Sequence, residues 1–334
     1  VGYVFGIRMN ISGIDLALLR FCLKQDDGPA QDMGSSTAEL LKQRNPEDYE
    51  WLKKALASVE DDNERIKKYL AVAADENAEL ADKEFALEQV QYLVEDLDLA
   101  NDLAKRGLGE VTQALTCDDG PEGEGVGVRA MAAWVLATMV QNNAYCQTQA
   151  VEQGVFGHVL CMLVGEQEAE VQVKLLAMVS GMVRDCPAGV ELVVSRLKDS
   201  PEVFRKFLQK RSLGIRLKAR LVCTHLLSSG VHGAVDLVKA SGIDQAAAEL
   251  YVEGASALDE NTTENEISLR LFSALAAAGL TDALIRNVLP ILDARIALLK
   301  STKEKDLFAA ERLLTAELKE QLCSARNDAA PAER

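Results

Sequence analysis

Glu170-Val-Gln-Val-Lys-Leu-Leu-Ala-Met-Val-Ser-Gly-Met-Val-Arg184 is the stretch from which the fold can be read. At 100° per residue, Val171, Leu175, Met178, Val179 and Met182 fall on one side. Glu170, Lys174, Ala177, Ser180, Gly181 and Arg184 fall on the other. That division describes an amphipathic helix with one face against a core. Four more stretches carry the same pattern and end in a polar or glycine break: Lys83 to Glu95, Gly127 to Gln141, Gly214 to Ser228 and Glu264 to Ala277. In the first, Glu84, Glu88, Gln91 and Glu95 stand opposite Phe85, Ala86 and Leu93. In the second, Trp134, Thr138 and Gln141 stand away from Ala132, Leu136 and Met139.

Aligned on Val94, Val140, Val183, Leu227 and Ala276, the five stretches follow one another at 46, 43, 44 and 49 residues. A period of about 40–47 belongs to HEAT and armadillo repeats, with one spacing lengthened by an insertion. Between repeat helices come shorter helices closing on glycine, Leu103 to Gly107 and Ala150 to Gly154. Apolar runs follow them, Val111 to Leu115 and Val155 to Val164. Three helices per repeat is the armadillo plan, and no period-2 strand pattern interrupts it. The expected fold is all-α, an armadillo-repeat right-handed superhelical solenoid with helical caps at both ends. A repeat buries its apolar face only against its neighbours, so the ends need caps.

The flanks read differently. A short helix from Ile14 to Leu23 precedes a linker, Asp26 to Ser36. Asn45-Pro-Glu-Asp48 then starts a helix with a capping Asn, Pro at the first helical position and acids in the first turn, and Trp51, Leu52, Ala55, Leu56 and Val59 follow at helical spacing. Lys303 to Leu322 reads as an amphipathic closing helix, and Ala329 to Arg334 as a frayed tail. The expected divisions are 1–44 for the N-terminal helix and flexible segment, 45–300 for the repeats, and 301–334 for the closing helix and tail.

Composition narrows the function classes. Of 334 residues, 48% are hydrophobic and 5% aromatic, enough aliphatic material for a core. The net charge of −16 opposes nucleic acid and anionic membrane as partners. The seven cysteines include no Cys-x-x-Cys pair and fit reduced, packed thiols rather than a disulfide framework. No run approaches the ~18 apolar residues of a membrane span, and Val1 to Arg8 is too short for a secretory signal. Met9 would suit a natural initiator, and a cytoplasmic address is expected. His158, His225 and His232 have no metal-binding spacing. The glycine-rich run Asp118 to Gly127 lacks a Gly-Lys-Ser/Thr ending, and its acids would repel phosphate; it reads as an inter-repeat loop. No catalytic group, metal or cofactor is expected.

The third helices of an armadillo stack line its concave groove, so their polar faces supply the candidate binding residues. These are Glu88, Gln91 and Glu95; Trp134, Thr138, Gln141, Asn142 and Asn143; and Lys174, Ser180 and Arg184. Trp134 could equally fill space in the core, and Arg184 could serve as a cation at a helix end.

Four stretches resemble the signature of armadillo-type nucleotide exchange factors for heat-shock protein 70, a family of animal and fungal co-chaperones. They are Trp51-Leu-Lys-Lys-Ala-Leu56, Leu93-Val-Glu-Asp-Leu-Asp-Leu-Ala-Asn-Asp-Leu103, Ala132-Ala-Trp-Val-Leu-Ala-Thr-Met-Val-Gln-Asn-Asn143 and Val183-Arg-Asp-Cys-Pro-Ala-Gly189. In the last, Asp185 and Cys186 stand where the family usually has two asparagines. The likeness runs over roughly residues 10–300 and fades after 190. It implies a monomer whose groove clasps one lobe of the chaperone's ATPase domain and opens the nucleotide cleft so that ADP leaves. The segment before the repeats would help to eject unfolded client. The alternatives are an inert scaffold and an importin-like peptide or cargo adaptor. Adaptor grooves carry Trp-x-x-x-Asn on successive third helices; here Trp134 is followed four places on by Thr138.

Overall fold

The computed structural model describes residues 61–117, 125–254, 262–302 and 306–329. The helix expected from Ile14, the linker after it, the Asn45 helix start and Trp51 to Val59 lie outside the described residues, as do 118–124 of the glycine-rich loop and 330–334 of the tail. The chain divides into two units, Val1–Arg65 and Ile66–Arg334. Of the first, the described residues are 61–65, where Arg65 Nη1 donates to Asp62 Oδ1 at 2.7 Å. The second unit holds the repeats.

Every regular element among the described residues is helical. After α1 (Asp62–Ala74) comes α2 (Leu80–Leu93), and then helices in threes: α3 (Leu97–Arg106), α4 (Gly109–Ala114) and α5 (Val126–Val140); α6 (Ala144–Glu152), α7 (Val155–Gly165) and α8 (Ala169–Met182). The next sets are α9 (Pro187–Leu197), α10 (Val203–Leu208) and α11 (Leu213–Ser228), then α12 (Ala234–Ser241), α13 (Ile243–Gly254) and α14 (Thr262–Ala277). A short π-helix, Leu284–Val288, leads into α15 (Leu289–Ser301) and α16 (Ala309–Ala329). The five repeat helices expected from the sequence are α2, α5, α8, α11 and α14. Each packs on the next, and α16 packs on α14 as a sixth member of the row. The closing helix therefore begins at Ala309, later than the Lys303 expected, and runs on to Ala329.

The apolar faces meet in one continuous core. Val171, Leu175, Met178, Val179 and Met182 are all fully buried, as are Ala132, Leu136 and Met139 from α5. Burying each large aliphatic side chain contributes about 1.5–3 kcal/mol. Phe85 corrects the expectation: it is 56% exposed and belongs to the polar side of α2, while Ala86 and Leu93 are buried as expected.

Polar ties join successive repeats across this core. Gln153 accepts from Leu108 N at 3.0 Å and donates to the Ala104 carbonyl at 2.9 Å, linking corners of adjacent repeats. Arg129, nearly buried, pairs with Glu166 at 3.4 Å. Glu264 receives both Arg216 and Arg220 from the preceding third helix, and Arg295 and Glu311 pair at 2.7 Å with neither side chain exposed. A buried charge costs several kcal/mol unless paired, so each tie penalises sliding of one repeat over the next.

Candidate functional site

The groove wall is set by how the third helices end. After α5 and α8, Asn142 (φ 54°) and Asp185 (φ 55°) adopt the left-handed conformation that reverses the chain. Gln147 then fastens both ends. Its Nε2 lies 3.3 Å from the Val140 carbonyl, 2.9 Å from that of Gly181 and 3.4 Å from that of Arg184. The next residue differs between the two turns. Asn143 caps α6, its Oδ1 accepting from Cys146 N at 3.2 Å while its Nδ2 donates to Asn101 Oδ1 at 3.0 Å. Cys186 occupies the same backbone geometry (φ −126°, ψ 90°, against −126°, 93°) but makes no side-chain cap. Pro187 starts α9 in its place.

Between α5, α8 and α11 lies an open cavity of about 290 Å³. Of the sequence candidates it brings together Trp134, Thr138, Gln141, Asn142, Lys174, Ser180 and Arg184. Trp134 is 37% exposed and lines this wall instead of filling the core. Lys174 Nζ stands 3.3 Å from the Trp134 ring centroid, a cation–π contact that fixes both side chains. Gln91 is one hydrogen bond away: its Nε2 donates to Thr138 Oγ1 and to Glu95 Oε1, each at 3.2 Å. Glu88 on α2 and Glu95 just past its end are exposed and are not in the cavity's lining. Asn143 is 6% exposed and turned inward by its capping role.

Lys218 and Leu221 complete the lining, and neither is among the sequence candidates. The signal is present all the same: Lys218 follows Lys174 by 44 residues and Leu221 follows Ala177 by 44, the repeat spacing itself. Both lie beyond Gly189, where the last of the signature stretches quoted above ends. Burial lowers the Lys218 pKa, and the Arg184 guanidinium lowers it further. The Lys174 pKa is also lowered, by burial first and by Lys218, against the pull of Glu170. No group of three or more His, Cys, Asp or Glu among the described residues could hold a metal. No described helix is long and apolar enough to cross a membrane. The cavity can therefore present cations, an indole face and amides to a partner.

Comparison with known proteins supplies relatives for this arrangement. A family model described as nucleotide exchange factor Fes1 matches residues 16–103, and the SIL1/FES1/HPBP1 C-terminal domain matches residues 120–220. Among curated relatives is the Hsp70 nucleotide exchange factor FES1 of Yarrowia lipolytica, 33% identical over 40% of this chain and 47% of that protein. The protein of the same name from Coccidioides immitis is 27% identical over 48% of this chain and 71% of that one. The chain thus spans about half the length of the first relative and more of the second. Among solved structures, an engineered protein superposes with a TM-score of 0.61 at 15% identity, over 78% of this chain and 98% of that one. A designed armadillo repeat protein in complex with the peptide (KR)4 gives 0.56 at 13%, over 75% and 98%. At such identities these two matches show the armadillo-like fold and nothing further.

Proposed function

We propose that this chain, which belongs to the family of Fes1-type nucleotide exchange factors whose two matched regions take in more than half of it, is a cytoplasmic co-chaperone. It acts as a monomer without cofactor or catalytic group of its own, and neither nucleic acid nor membrane is its partner. Its groove binds the ATPase domain of a heat-shock protein 70 and promotes ADP release. The supporting observation is the wall itself: third-helix residues from three repeats converge on one open surface of cations, indole and amides. That surface suits another protein's face and lacks the enclosed, acid–base geometry of a reaction site.

Exchange then needs only differential binding. A factor that prefers the open ATPase domain weakens a nucleotide that prefers the closed one, and the coupling is reciprocal. Weakening ADP a hundredfold takes about 2.7 kcal/mol, within reach of a few well-buried contacts. The peptide-adaptor reading fits less well. A groove for basic peptides, as in the designed protein bound to (KR)4, would meet repulsion from Lys174, Lys218 and Arg184 here. The test is stopped-flow release of a fluorescent ADP analogue from a cytosolic heat-shock protein 70 with and without this chain. Faster release is expected; binding with an unchanged off-rate would leave the scaffold reading.

A further inference from the structure

In a chain of net charge −16, three cations line one cavity and no carboxylate does. Four other arginines, each buried or half-buried, are matched internally: Arg129 to Glu166, Arg216 and Arg220 to Glu264, and Arg295 to Glu311. Among the described residues, Lys174, Arg184 and Lys218 enter no ion pair. They act on one another instead, Arg184 on Lys218 and Lys218 on Lys174, with Glu170 as the opposing charge felt by Lys174. Gathering like charges opposes folding, and the ties that set repeat register are made elsewhere. The cluster therefore reads as a surface whose counter-charge comes from outside.

We propose that the cavity walled by α5, α8 and α11 receives a carboxylate side chain from the partner's surface, seated against Lys174, Arg184 and Lys218. This rests on the exchange-factor reading above and names the chemistry of its contact. A carboxylate is favoured over a phosphate by the helix ends around the cavity. Asn142, Gly181 and Arg184 mark the C-terminal ends of α5 and α8, where carbonyls carry partial negative charge. Phosphate sites form at N-terminal ends, where amides point at the anion.

The groove is also polar along its length. Glu95, Gln141 and Arg184 occupy the same position in three successive repeats, one residue past the aligned valine. At that position the wall runs from acidic after α2 through neutral after α5 to basic after α8, and Lys218 adds a further cation from α11. Third helices pack about 8–10 Å apart, so the two charged ends lie roughly 20 Å from each other. A partner that places its acid on the basic end and a basic group near Glu88 and Glu95 can dock in one direction only.

The test measures binding of the whole chain to the ATPase domain of a cytosolic heat-shock protein 70 over a range of salt. Lys218→Gln should weaken binding several-fold and Lys218→Glu roughly tenfold or more, with a shallower salt dependence in both. Their circular dichroism and melting should match wild type, since Lys218 makes no ion pair that folding would lose. A charge-swap scan then replaces individual Asp or Glu residues of the ATPase domain with Lys. One such change should restore the affinity of Lys218→Glu. If wild type does not bind at all, the exchange-factor reading falls. If wild type binds and Lys218→Glu binds within about twofold of it, the carboxylate proposal alone falls. Competition by submillimolar inorganic phosphate would overturn it too, by making the site one for phosphate.

Discussion

Replacing Glu264 with leucine tests whether the inter-repeat ties are structural. Glu264 Oε1 lies 2.8 Å from Arg220 Nη1 and 3.2 Å from Arg216 Nε, and its Oε2 lies 3.3 Å from Arg216 Nη2. The two arginines differ in what they have left once the carboxylate is gone. Arg216 is partly exposed and also donates to the Lys210 and Arg211 carbonyls, so it stays solvated and bonded. The Arg220 side chain is 2% exposed, and its Nε already has no hydrogen-bond partner. Removing one member of a buried pair costs about 3–5 kcal/mol because the other charge is stranded. At about 2–4 °C per kcal/mol for a domain of this size, Glu264→Leu should melt roughly 6–20 °C lower. The double variant Glu264→Leu/Arg220→Met removes the stranded charge and should return to within about 1 kcal/mol of wild type. Urea unfolding followed by circular dichroism reads both. A single variant losing less than about 1 kcal/mol, or a double variant no better than the single, would refute the assignment of Arg220 as a buried, compensated charge.

The same carboxylate sets an acid limit. Burial alone would raise the Glu264 pKa, but hydrogen bonds from Arg216 and Arg220 outweigh it and leave the value lowered. Its stabilisation should be complete above the ordinary glutamate value near 4.3 and fade as pH falls through the lower folded value; Glu264→Leu should flatten that part of a stability–pH curve. Cys186→Asn places a capping side chain on backbone already shaped like that of Asn143 and should add about 1 kcal/mol in urea unfolding. Gly189→Ala should destabilise the chain by at least about 1–3 kcal/mol, because its Cβ would stand 2.2 Å from the Met182 carbonyl oxygen. Arg184→Ala should weaken chaperone binding by about 1–3 kcal/mol with the melting temperature nearly unchanged; the reverse pattern would mark it as a helix-end cation.

The fold is legible because two periods agree in the sequence. The 3.6-residue period gives the face of each helix, and the 43–49-residue spacing says that those faces stack. Phe85 is misplaced when only the first period is applied to it. On the wheel of α2 it borders Ala86, which suggests the core. By repeat spacing it holds the position of Lys174 and Lys218, nine residues before the aligned valine or leucine, and that position faces the groove. Asn143 is illegible for another reason. A capping Asn and a binding Asn look alike in sequence, and only the left-handed turn at Asn142 and the bond to Cys146 N separate them. Lys218 escapes a reading guided by the signature stretches, which end at Gly189, although the repeat geometry and the family match both continue through it.

The repeat rungs also show which positions the packing holds fixed and which it leaves free to vary. Four residues before each alignment point stand Val90, Leu136, Val179, Cys223 and Phe272, every one buried. Six before stand Glu88, Trp134, Ala177, Leu221 and Arg270; one after stand Glu95, Gln141, Arg184, Ser228 and Ala277. The first rung varies only in the size of an apolar group, because packing density allows no more. The other two change charge, polarity and size from one repeat to the next. Register demands nothing of them, since the buried rungs and ion-pair ties already supply it. Positions that packing leaves free can be matched to a partner's surface one repeat at a time, and the proposed docking requires that freedom across three adjacent helices.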